Sequence, residues 1–398
     1  MSTLHFAQRL QNVETSAIRE IFKLLGTPGI ISFAGGFPDA ALFDVEGINA
    51  ASQQALSQHA GQALQYGPTE GYMPLREQIA STLRAQGAAV QAQQLIVTTG
   101  SQQALDLLGK TMVSPGDKVL VEGPTFLATI QCFRLYGADV VSVPIDQDGV
   151  QVDVLEQQIK EHRPKLIYLI PTFGNPSGAM LTLERRKRIL ELAAQYKVLV
   201  VEDNPYGELY FDAPPPPTLL TLSEQVPGSR DYLAYCGSFS KVVSPGLRLG
   251  WMVAPDALLA NAAMCKQFSD ANSSMLTQVT ASEYLASGRL PAALQRVQKV
   301  YAERARVMMR HLDECLGDAL QYTAPQGGMF IWASLTGAGG GSRDAAAFVK
   351  RGVEKGVAAV PGAPFFATHV DHSTFRMSYA SVPEDKIIEG VKRLAQAL

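Results

Sequence analysis

Lys241 lies in the segment Gly-Ser-Phe-Ser-Lys-Val-Val-Ser-Pro-Gly-Leu-Arg, residues 237–248, where hydroxyl groups and glycines surround one lysine and one arginine. A lysine amine can condense with an aldehyde to form an imine, while hydroxyls and a guanidinium can bind a phosphate dianion. This combination indicates a pyridoxal phosphate site. A Ser/Gly-rich segment with one Lys and one Arg is also typical of a solvated turn, so other segments must decide between the two interpretations.

Three further residues have the chemistry that the pyridine ring of such a cofactor needs. Asp203 ends the run Val-Leu-Val-Val-Glu-Asp, and its carboxylate would raise the pKa of a ring nitrogen placed opposite it. Asn175 and Tyr206 can donate hydrogen bonds to the ring oxygen. Lys241, once displaced by an amino acid, could move a proton between the substrate and the cofactor. Taken alone, Asp203 and Asn175-Pro176 would be interpreted as turn residues.

The phosphate needs free backbone amides and further donors. A predicted helix begins at Gly100-Ser101-Gln102, directly after Ile-Val-Thr-Thr, and a helix start offers unpaired amides to an anion. Ser101 can also serve as an ordinary helix N-cap. Additional donors are expected from Ser238, Ser240 and Arg248. Phe126 follows the next strand, where it could stack on the cofactor ring or simply belong to the core.

The elements that must position these residues alternate from about residue 93, with short β-branched runs followed by longer amphipathic segments. This pattern predicts a mostly parallel sheet covered by helices on both faces, with ligands at the carboxyl ends of its strands. Most candidates follow a strand-like run directly. Beyond about residue 290, a long charged helix and short strands predict a smaller α+β domain. We expect a large domain over 46–289 and a small one over 1–45 and 290–398.

Composition narrows the possible partners and locations. The chain has 398 residues and a net charge of -3, without the basic excess that nucleic acids or anionic membranes require. Its apolar runs are strand-sized and charged residues interrupt the first thirty positions, so we expect a cytoplasmic protein with no membrane span. The four cysteines are scattered, and His369 and His372 lack further ligands nearby, so no disulfide framework or metal site is predicted.

With these residues assembled, the chain resembles the class I/II aminotransferases of fold type I, especially the branch of 2-aminoadipate (LysN-type) and kynurenine aminotransferases. The resemblance covers nearly the whole chain. It rests on the following segments in this order: S-A-I-R-E at 16–20, I-I-S-F-A-G-G at 30–36, Q-Y-G-P-T-E-G-Y at 65–72, T-T-G-S-Q-Q-A-L-D, I-P-T-F-G-N-P-S-G, V-E-D-N-P-Y, G-S-F-S-K, G-G-M-F-I-W and F-R-M-S-Y-A. It implies an α/β fold whose large domain has a mostly parallel seven-stranded sheet between helices.

The resemblance also implies roles for individual residues. Lys241 would form the Schiff base, Asp203 would pair with the ring nitrogen, and Asn175 and Tyr206 would contact the ring oxygen. Arg376 would bind the α-carboxylate of the substrate. Tyr66 would reach the phosphate of the other subunit in a homodimer. In the LysN-like branch, the residues matching Arg19, Gly35 and Gly36 line the pocket for the distal carboxylate. Phe126 stands where relatives often have Tyr, and Asn204-Pro205 also departs from the usual sequence.

The expected activity is pyridoxal phosphate-dependent transfer of an amino group from an L-amino acid to a 2-oxo acid. The donor is expected to be of the 2-aminoadipate, glutamate, aromatic or branched-chain type, and the acceptor 2-oxoglutarate. One alternative is another reaction on the same scaffold, such as that of a β-lyase, racemase or decarboxylase, because the same electron sink serves all of them. The second is the ligand-sensing half of a MocR-type transcription regulator, which would need an additional DNA-binding domain.

Overall fold

Short buried strands form the framework of the computed structural model, which describes residues 7–10 and 29–398. In chain order the strands are β1 (Ile31–Ser32), β2 (Leu95–Thr98), β3 (Lys118–Gly123), β4 (Asp139–Asp146), β5 (Gly149–Val150), β6 (Leu166–Leu169), β7 (Leu199–Asp203), β8 (Leu233–Ser238), β9 (Gly250–Val253), β10 (Leu320–Tyr322), β11 (Phe330–Leu335), β12 (Val357–Ala358), β13 (Val360–Pro361) and β14 (Thr374–Ser378).

Helices separate these strands along most of the chain. Their bounds are α1 (Val45–Gln58), α2 (Ala60–Ala63), α3 (Met73–Ala85), α4 (Ser101–Met112), α5 (Leu127–Leu135), α6 (Val152–His162), α7 (Leu183–Tyr196), α8 (Leu219–Leu222), α9 (Asp256–Ser269), α10 (Met275–Ala286), α11 (Leu290–Leu316), α12 (Ala345–Glu354) and α13 (Glu384–Ala395).

The larger sheet has the strand order β2-β9-β8-β7-β6-β3-β4-β5. The five strands from β8 to β4 run parallel, while β9 is antiparallel to both of its neighbours. The α/β fold with a mostly parallel sheet is therefore confirmed. The sheet has eight strands instead of the predicted seven. The additional strand is β5, which has two residues and folds back on β4. Gly149, with a φ of +85°, allows this tight reversal.

Strands of this sheet are buried on both faces, which explains their nearly continuous apolar sequences. In β3, Val119 and Val121 pack into the hydrophobic cluster on one face, and Leu120 packs into the cluster on the other. Helix α4 shows the matching amphipathic pattern, with its buried apolar side toward the sheet and polar residues outside. Packing on two faces leaves the ends of the strands as the natural place for a ligand.

One edge of the larger sheet is formed by β2, whose sheet partner is β9. On its other side, the backbone amide of Val97 donates a 2.8 Å hydrogen bond to the carbonyl of Glu70. Glu70 belongs to the connection between α2 and α3, which also carries Tyr66. This connection therefore covers part of the edge strand.

A second, antiparallel sheet has the order β10-β11-β14-β13 and lies in the C-terminal part of the chain with α11, α12 and α13. The parallel pair of β1 and β12 brings residues 31–32 beside residues 357–358. The proposed domain boundaries near residues 45 and 290 stay predictions. Within the described ranges, no helix has both the length and the apolar character needed to cross a membrane.

Candidate active site

Lys241 lies in the connection between β8 and β9, whose ends are held together by the pairing of Ser238 with Gly250. Its Nζ donates a 3.0 Å hydrogen bond to the carbonyl oxygen of Gly36. Burial, followed by the positive charges of Arg376 and Arg248, lowers the pKa of Lys241 from 10.5 to about 8. A substantial fraction of the amine is therefore neutral and nucleophilic near physiological pH.

Asp203 ends β7 and is buried. Its Oδ2 accepts a 2.7 Å hydrogen bond from the hydroxyl of Tyr168, whereas Oδ1 is buried and has no hydrogen-bond partner in the described part of the chain. Burial raises the pKa of Asp203 to about 6, and the Tyr168 hydrogen bond opposes this rise. The unpartnered oxygen is suited to a protonated ring nitrogen, which would also favour the ionised carboxylate.

Tyr168 was missed by the sequence reasoning. It lies in β6, in the run Leu-Ile-Tyr-Leu-Ile-Pro, and is fully buried. A single tyrosine in an otherwise aliphatic strand is a usable signal, because a buried phenol needs a hydrogen-bond partner. The identity of that partner depends on the register of β6 against β7, in which Tyr168 is beside Val201.

Arg376 and Asn175 are distant in the sequence but are hydrogen-bonded to each other. Arg376 lies in β14, and its Nη1 donates to Asn175 Oδ1 at 2.8 Å while Nη2 donates to the carbonyl of Ala34 at 2.9 Å. The guanidinium also lies 4.4 Å from the ring centroid of Phe330, and burial lowers its pKa to about 10. A hydrogen bond from the side-chain amide of Asn175 to the hydroxyl of Tyr206 extends the cluster. This group brings a buried cation, an amide and a phenol together.

Two of the predicted phosphate-binding groups, the turn at Gly100 and the guanidinium of Arg248, lie close together. Gly100 has a φ of +78°, and a Cβ there would lie 3.0 Å from Arg248 Nη2. A Cβ on Gly250 would lie 2.7 Å from both Gly100 C and Ser101 N. Because glycines allow this close approach, the start of α4 and the guanidinium of Arg248 can face the same space. Gln102 and Arg248 both line an adjoining cavity of about 750 Å³.

The two predicted serines lie at and directly after the carboxyl end of β8. Ser238 ends β8, and its Oγ accepts a 3.1 Å hydrogen bond from the backbone amide of Ser240. The serines therefore shape the chain directly before Lys241. Phe126 immediately precedes α5 and is partly buried against the hydrophobic core. Its predicted stacking on the cofactor ring stays a prediction.

The predicted substrate-pocket residues fall in different surroundings. A Cβ on Gly36 would contact the Phe330 ring at 3.6 Å and Arg376 Nη2 at 3.9 Å, so Gly36 lies beside the arginine. Gly35 faces Phe37 and Ser381 instead. Tyr66 is 85% exposed and is not part of the cluster within its own chain. Arg19 lies outside the described residues.

These groups fit pyridoxal phosphate. The buried, unpartnered oxygen of Asp203 matches the ring nitrogen, and the low-pKa amine of Lys241 matches the aldehyde. The close approach of Gly100 to Arg248 suits the phosphate. The donor set contains no competing metal site, since no cluster of His, Cys, Asp and Glu suited to a metal occurs in the described ranges.

Comparisons with known proteins agree with this chemistry. The family model for aminotransferase class I and II matches residues 30–394. The chain is 41% identical to the 2-aminoadipate transaminase of Thermus thermophilus, over 99% of this chain and 96% of that protein. It is 39% identical to aromatic-amino-acid aminotransferase 1 of Thermococcus litoralis, over 99% of this chain and 94% of that protein.

The structural comparison leads to the same family. The crystal structure of LysN, the α-aminoadipate aminotransferase of Thermus thermophilus complexed with N-(5'-phosphopyridoxyl)-L-leucine, superposes with a TM-score of 0.89 and 40% identity. The match covers 99% of this chain and 97% of that one. The chain therefore belongs to the class I and II aminotransferases and is a pyridoxal phosphate-dependent transaminase of fold type I.

Proposed function

We propose that the protein transfers the amino group of an L-amino acid carrying a second carboxylate or an aromatic side chain to a 2-oxo acid such as 2-oxoglutarate. The proposal is supported by the names of the two similar enzymes, which act on 2-aminoadipate and on aromatic amino acids. The experiment below also tests a branched-chain donor. The cytoplasmic location stays a prediction.

The observation that carries the proposal is the proximity of the Lys241 amine to the buried guanidinium of Arg376. Arg376 is close enough to lower the pKa of Lys241 and carries a buried positive charge without a carboxylate partner in the described part of the chain. A buried, uncompensated cation is costly unless a ligand neutralises it. The α-carboxylate of an amino acid supplies that charge and the bidentate geometry that a guanidinium prefers.

The chain's own groups can then be given roles. When bound, pyridoxal phosphate supplies an aldehyde for imine exchange and a ring that accepts electrons. Arg376 would orient the substrate carboxylate, and Asp203 Oδ1 would accept a hydrogen bond from the ring nitrogen. Lys241 Nζ, released from its covalent role, would take the proton from the substrate Cα and return it to the cofactor side as general base and acid.

The donor range is tested by following the visible spectrum of the purified holoenzyme during addition of single amino acids. We expect 2-aminoadipate, glutamate or an aromatic amino acid to remove the band of the lysine-bound cofactor, and 2-oxoglutarate to restore it. Lys241→Ala should abolish turnover, whereas Lys299→Ala, on an exposed face of α11, should not. Formation of many equivalents of product per active site in the absence of any 2-oxo acid would indicate a lyase or racemase instead.

We further propose that the active unit is a homodimer in which Tyr66 completes the site of the other subunit. The high exposure of Tyr66 in a single chain is consistent with this arrangement, because it leaves the side chain accessible to a partner subunit. Mixing Lys241→Ala with Tyr66→Ala subunits tests it. A shared site predicts that mixed dimers recover activity, since one of their two sites contains both native residues. A Tyr66 that acts within its own subunit predicts no recovery.

A further inference from the structure

Lys266 is a fully buried lysine outside the group of site residues described above. It lies in α9 with no exposed surface, and its Nζ lies within hydrogen-bond distance of four oxygen atoms. The acceptors are Asp270 Oδ1 and Oδ2, both at 2.8 Å, and Gln103 Oε1 and Ser273 Oγ, both at 3.0 Å. Burying an ammonium is costly unless it is paired and hydrogen-bonded, and here both conditions are met.

The same acceptors hold the turn between β2 and α4. Gln103 Oε1 accepts a second hydrogen bond, of 2.8 Å, from the backbone amide of Thr99. Gln103 Nε2 donates to Asp270 Oδ2 at 2.6 Å, and Thr99 Oγ1 lies 3.0 Å from Ser273 Oγ. Lys266 is therefore connected to both ends of the segment 99–103, at Thr99 through shared acceptors and at Gln103 directly.

Segment 99–103 contains the backbone amides that open α4 and the close approach of Gly100 to Arg248. The direction of those amides depends on the path of the backbone between Thr99 and Gln103. Oriented donors bind an anion best when their positions are fixed before the anion arrives. Positioning matters similarly in catalysis, where a misplacement of about 1 Å can lower the reaction rate about a hundredfold. A buried ion pair with a full set of hydrogen bonds is suited to fixing such a turn.

We propose that Lys266, paired with Asp270, is a positioning residue for the phosphate-binding turn 99–103. It sets the affinity for the phosphate group of the cofactor without touching the cofactor. The inference rests on the assignment of this turn as the phosphate site. It predicts that loss of the Lys266 ammonium weakens binding of the phosphorylated cofactor and leaves binding of the same ring without its phosphate nearly unchanged.

The test compares the affinities of the apoenzyme for pyridoxal 5'-phosphate and for pyridoxal, measured by absorbance or fluorescence titration. For Lys266→Met we expect the affinity for pyridoxal 5'-phosphate to fall about tenfold or more, with little change for pyridoxal. Competition by inorganic phosphate should weaken in parallel. Asp270→Asn should act in the same direction. Ser273→Ala keeps the ion pair, so it supplies a milder variant if Lys266→Met does not fold.

Lys110→Met is the matched control. Lys110 also connects α4 with α9, donating to Asp106 Oδ2 at 2.6 Å and to Ser269 Oγ at 2.8 Å, but it is partly exposed and has no hydrogen bond to the segment 99–103. We expect it to leave both affinities unchanged. An equal loss in Lys110→Met would mean that any link between the two helices matters, and would overturn the specific role of Lys266.

The remaining outcomes separate the positioning role of Lys266 from the phosphate-binding role of the turn. If wild type prefers pyridoxal 5'-phosphate over pyridoxal and Lys266→Met keeps that preference in full, the positioning role is wrong while the phosphate site stands. An equal fall in both affinities would reduce Lys266 to a general structural residue and also overturn the proposal. If wild type shows no preference for the phosphorylated ring, the assignment of the turn itself fails, and the inference fails with it.

Discussion

The hydroxyl of Tyr168 donates a 2.7 Å hydrogen bond to Oδ2 of Asp203, and Oδ1 of the same carboxylate is buried without a partner among the described residues. The two oxygens of one carboxylate are therefore unequal. Tyr168 satisfies one of them, which leaves the other available to a ligand. The two residues lie on the neighbouring strands β6 and β7, so the register of these strands sets their relative position.

Replacing Tyr168 with Phe should raise the pKa of Asp203 above its present value of about 6, because the hydrogen bond from Tyr168 favours the ionised form. A hydrogen bond to a charged group is worth about 1.5–3 kcal/mol, so we expect a rise of about one to two pH units. The carboxylate of the apoenzyme would then stay protonated to a higher pH. Carbon-13 NMR of labelled aspartate measures this, with the signal assigned by its loss in Asp203→Asn.

Tyr235→Phe is the control for this measurement. Tyr235 is another buried tyrosine, on β8, and its hydroxyl accepts a hydrogen bond from Asn204 Nδ2 at 3.1 Å. It makes no hydrogen bond to Asp203, so the titration of Asp203 should stay near its wild-type midpoint. A shift of equal size in both variants would show that burial alone controls the carboxylate.

The lowered pKa of Lys241 predicts the pH dependence of cofactor capture by the apoenzyme. Only the neutral amine attacks an aldehyde, and the amine is neutral above its pKa. The rate constant for association with pyridoxal phosphate should therefore rise with pH up to about 8 and then level off. A lysine at its ordinary value would give a rate that continues to rise toward pH 10.5. Stopped-flow absorbance over this range distinguishes the two profiles.

Replacing Arg376 with Lys should impair substrate binding more than cofactor binding. The guanidinium uses Nη1 and Nη2 on Asn175 and Ala34, and a lysine cannot reproduce this fork. Truncation of one partner in a buried charged contact costs about 2–5 kcal/mol, so kcat/KM should fall on the order of a hundredfold. Steady-state kinetics test this, and Arg134→Lys on the exposed side of α5 should have little effect. Unchanged kcat/KM in Arg376→Lys would refute the carboxylate assignment.

Gly250→Ala should distort the turn at Gly100-Ser101, the predicted phosphate site. The added Cβ would lie 2.7 Å from the backbone atoms Gly100 C and Ser101 N, which cannot move independently of the turn. We expect a loss of about 1–3 kcal/mol in the free energy of unfolding and weaker binding of pyridoxal phosphate. At Gly246 a Cβ would meet only Ser244 Oγ, at 3.5 Å, so Gly246→Ala should be tolerated. Thermal unfolding with and without cofactor compares the two.

The sequence predicted the fold class well, because runs such as Leu-Ile-Tyr-Leu in β6 and Leu-Val-Val-Glu-Asp in β7 are short, apolar and separated by amphipathic helices. It also predicted that Lys241, Asp203 and Gly100 lie at the carboxyl ends of strands, since each of them ends or follows a strand-like run. The short strand β5 was missed because two residues carry no periodicity. Its existence depends on a reversal at Gly149.

Long-range partners were the part that the sequence did not predict. Tyr168 and Asp203 are neighbours because of the register between β6 and β7. Arg376, in the second sheet, contacts Asn175, which follows a strand of the larger sheet. Nothing in the local sequence distinguishes Lys266 from other charged helix residues. Its burial depends on the packing of the segments around Thr99 and Ser273 against α9. Such contacts depend on how separate elements pack, which local patterns do not encode. Gly35 and Gly36 show the same limit, because adjacent residues face different neighbours.

The hydrogen bond between Val97 and Glu70 bears on solubility. An uncovered edge strand offers free amide and carbonyl groups to other chains and is a common starting point for aggregation. The connection that carries Tyr66 covers β2 at this point. We therefore expect substitutions that loosen the segment around Glu70 to expose a template for intermolecular β-pairing, so that the weakened protein precipitates before it accumulates as a stable monomer.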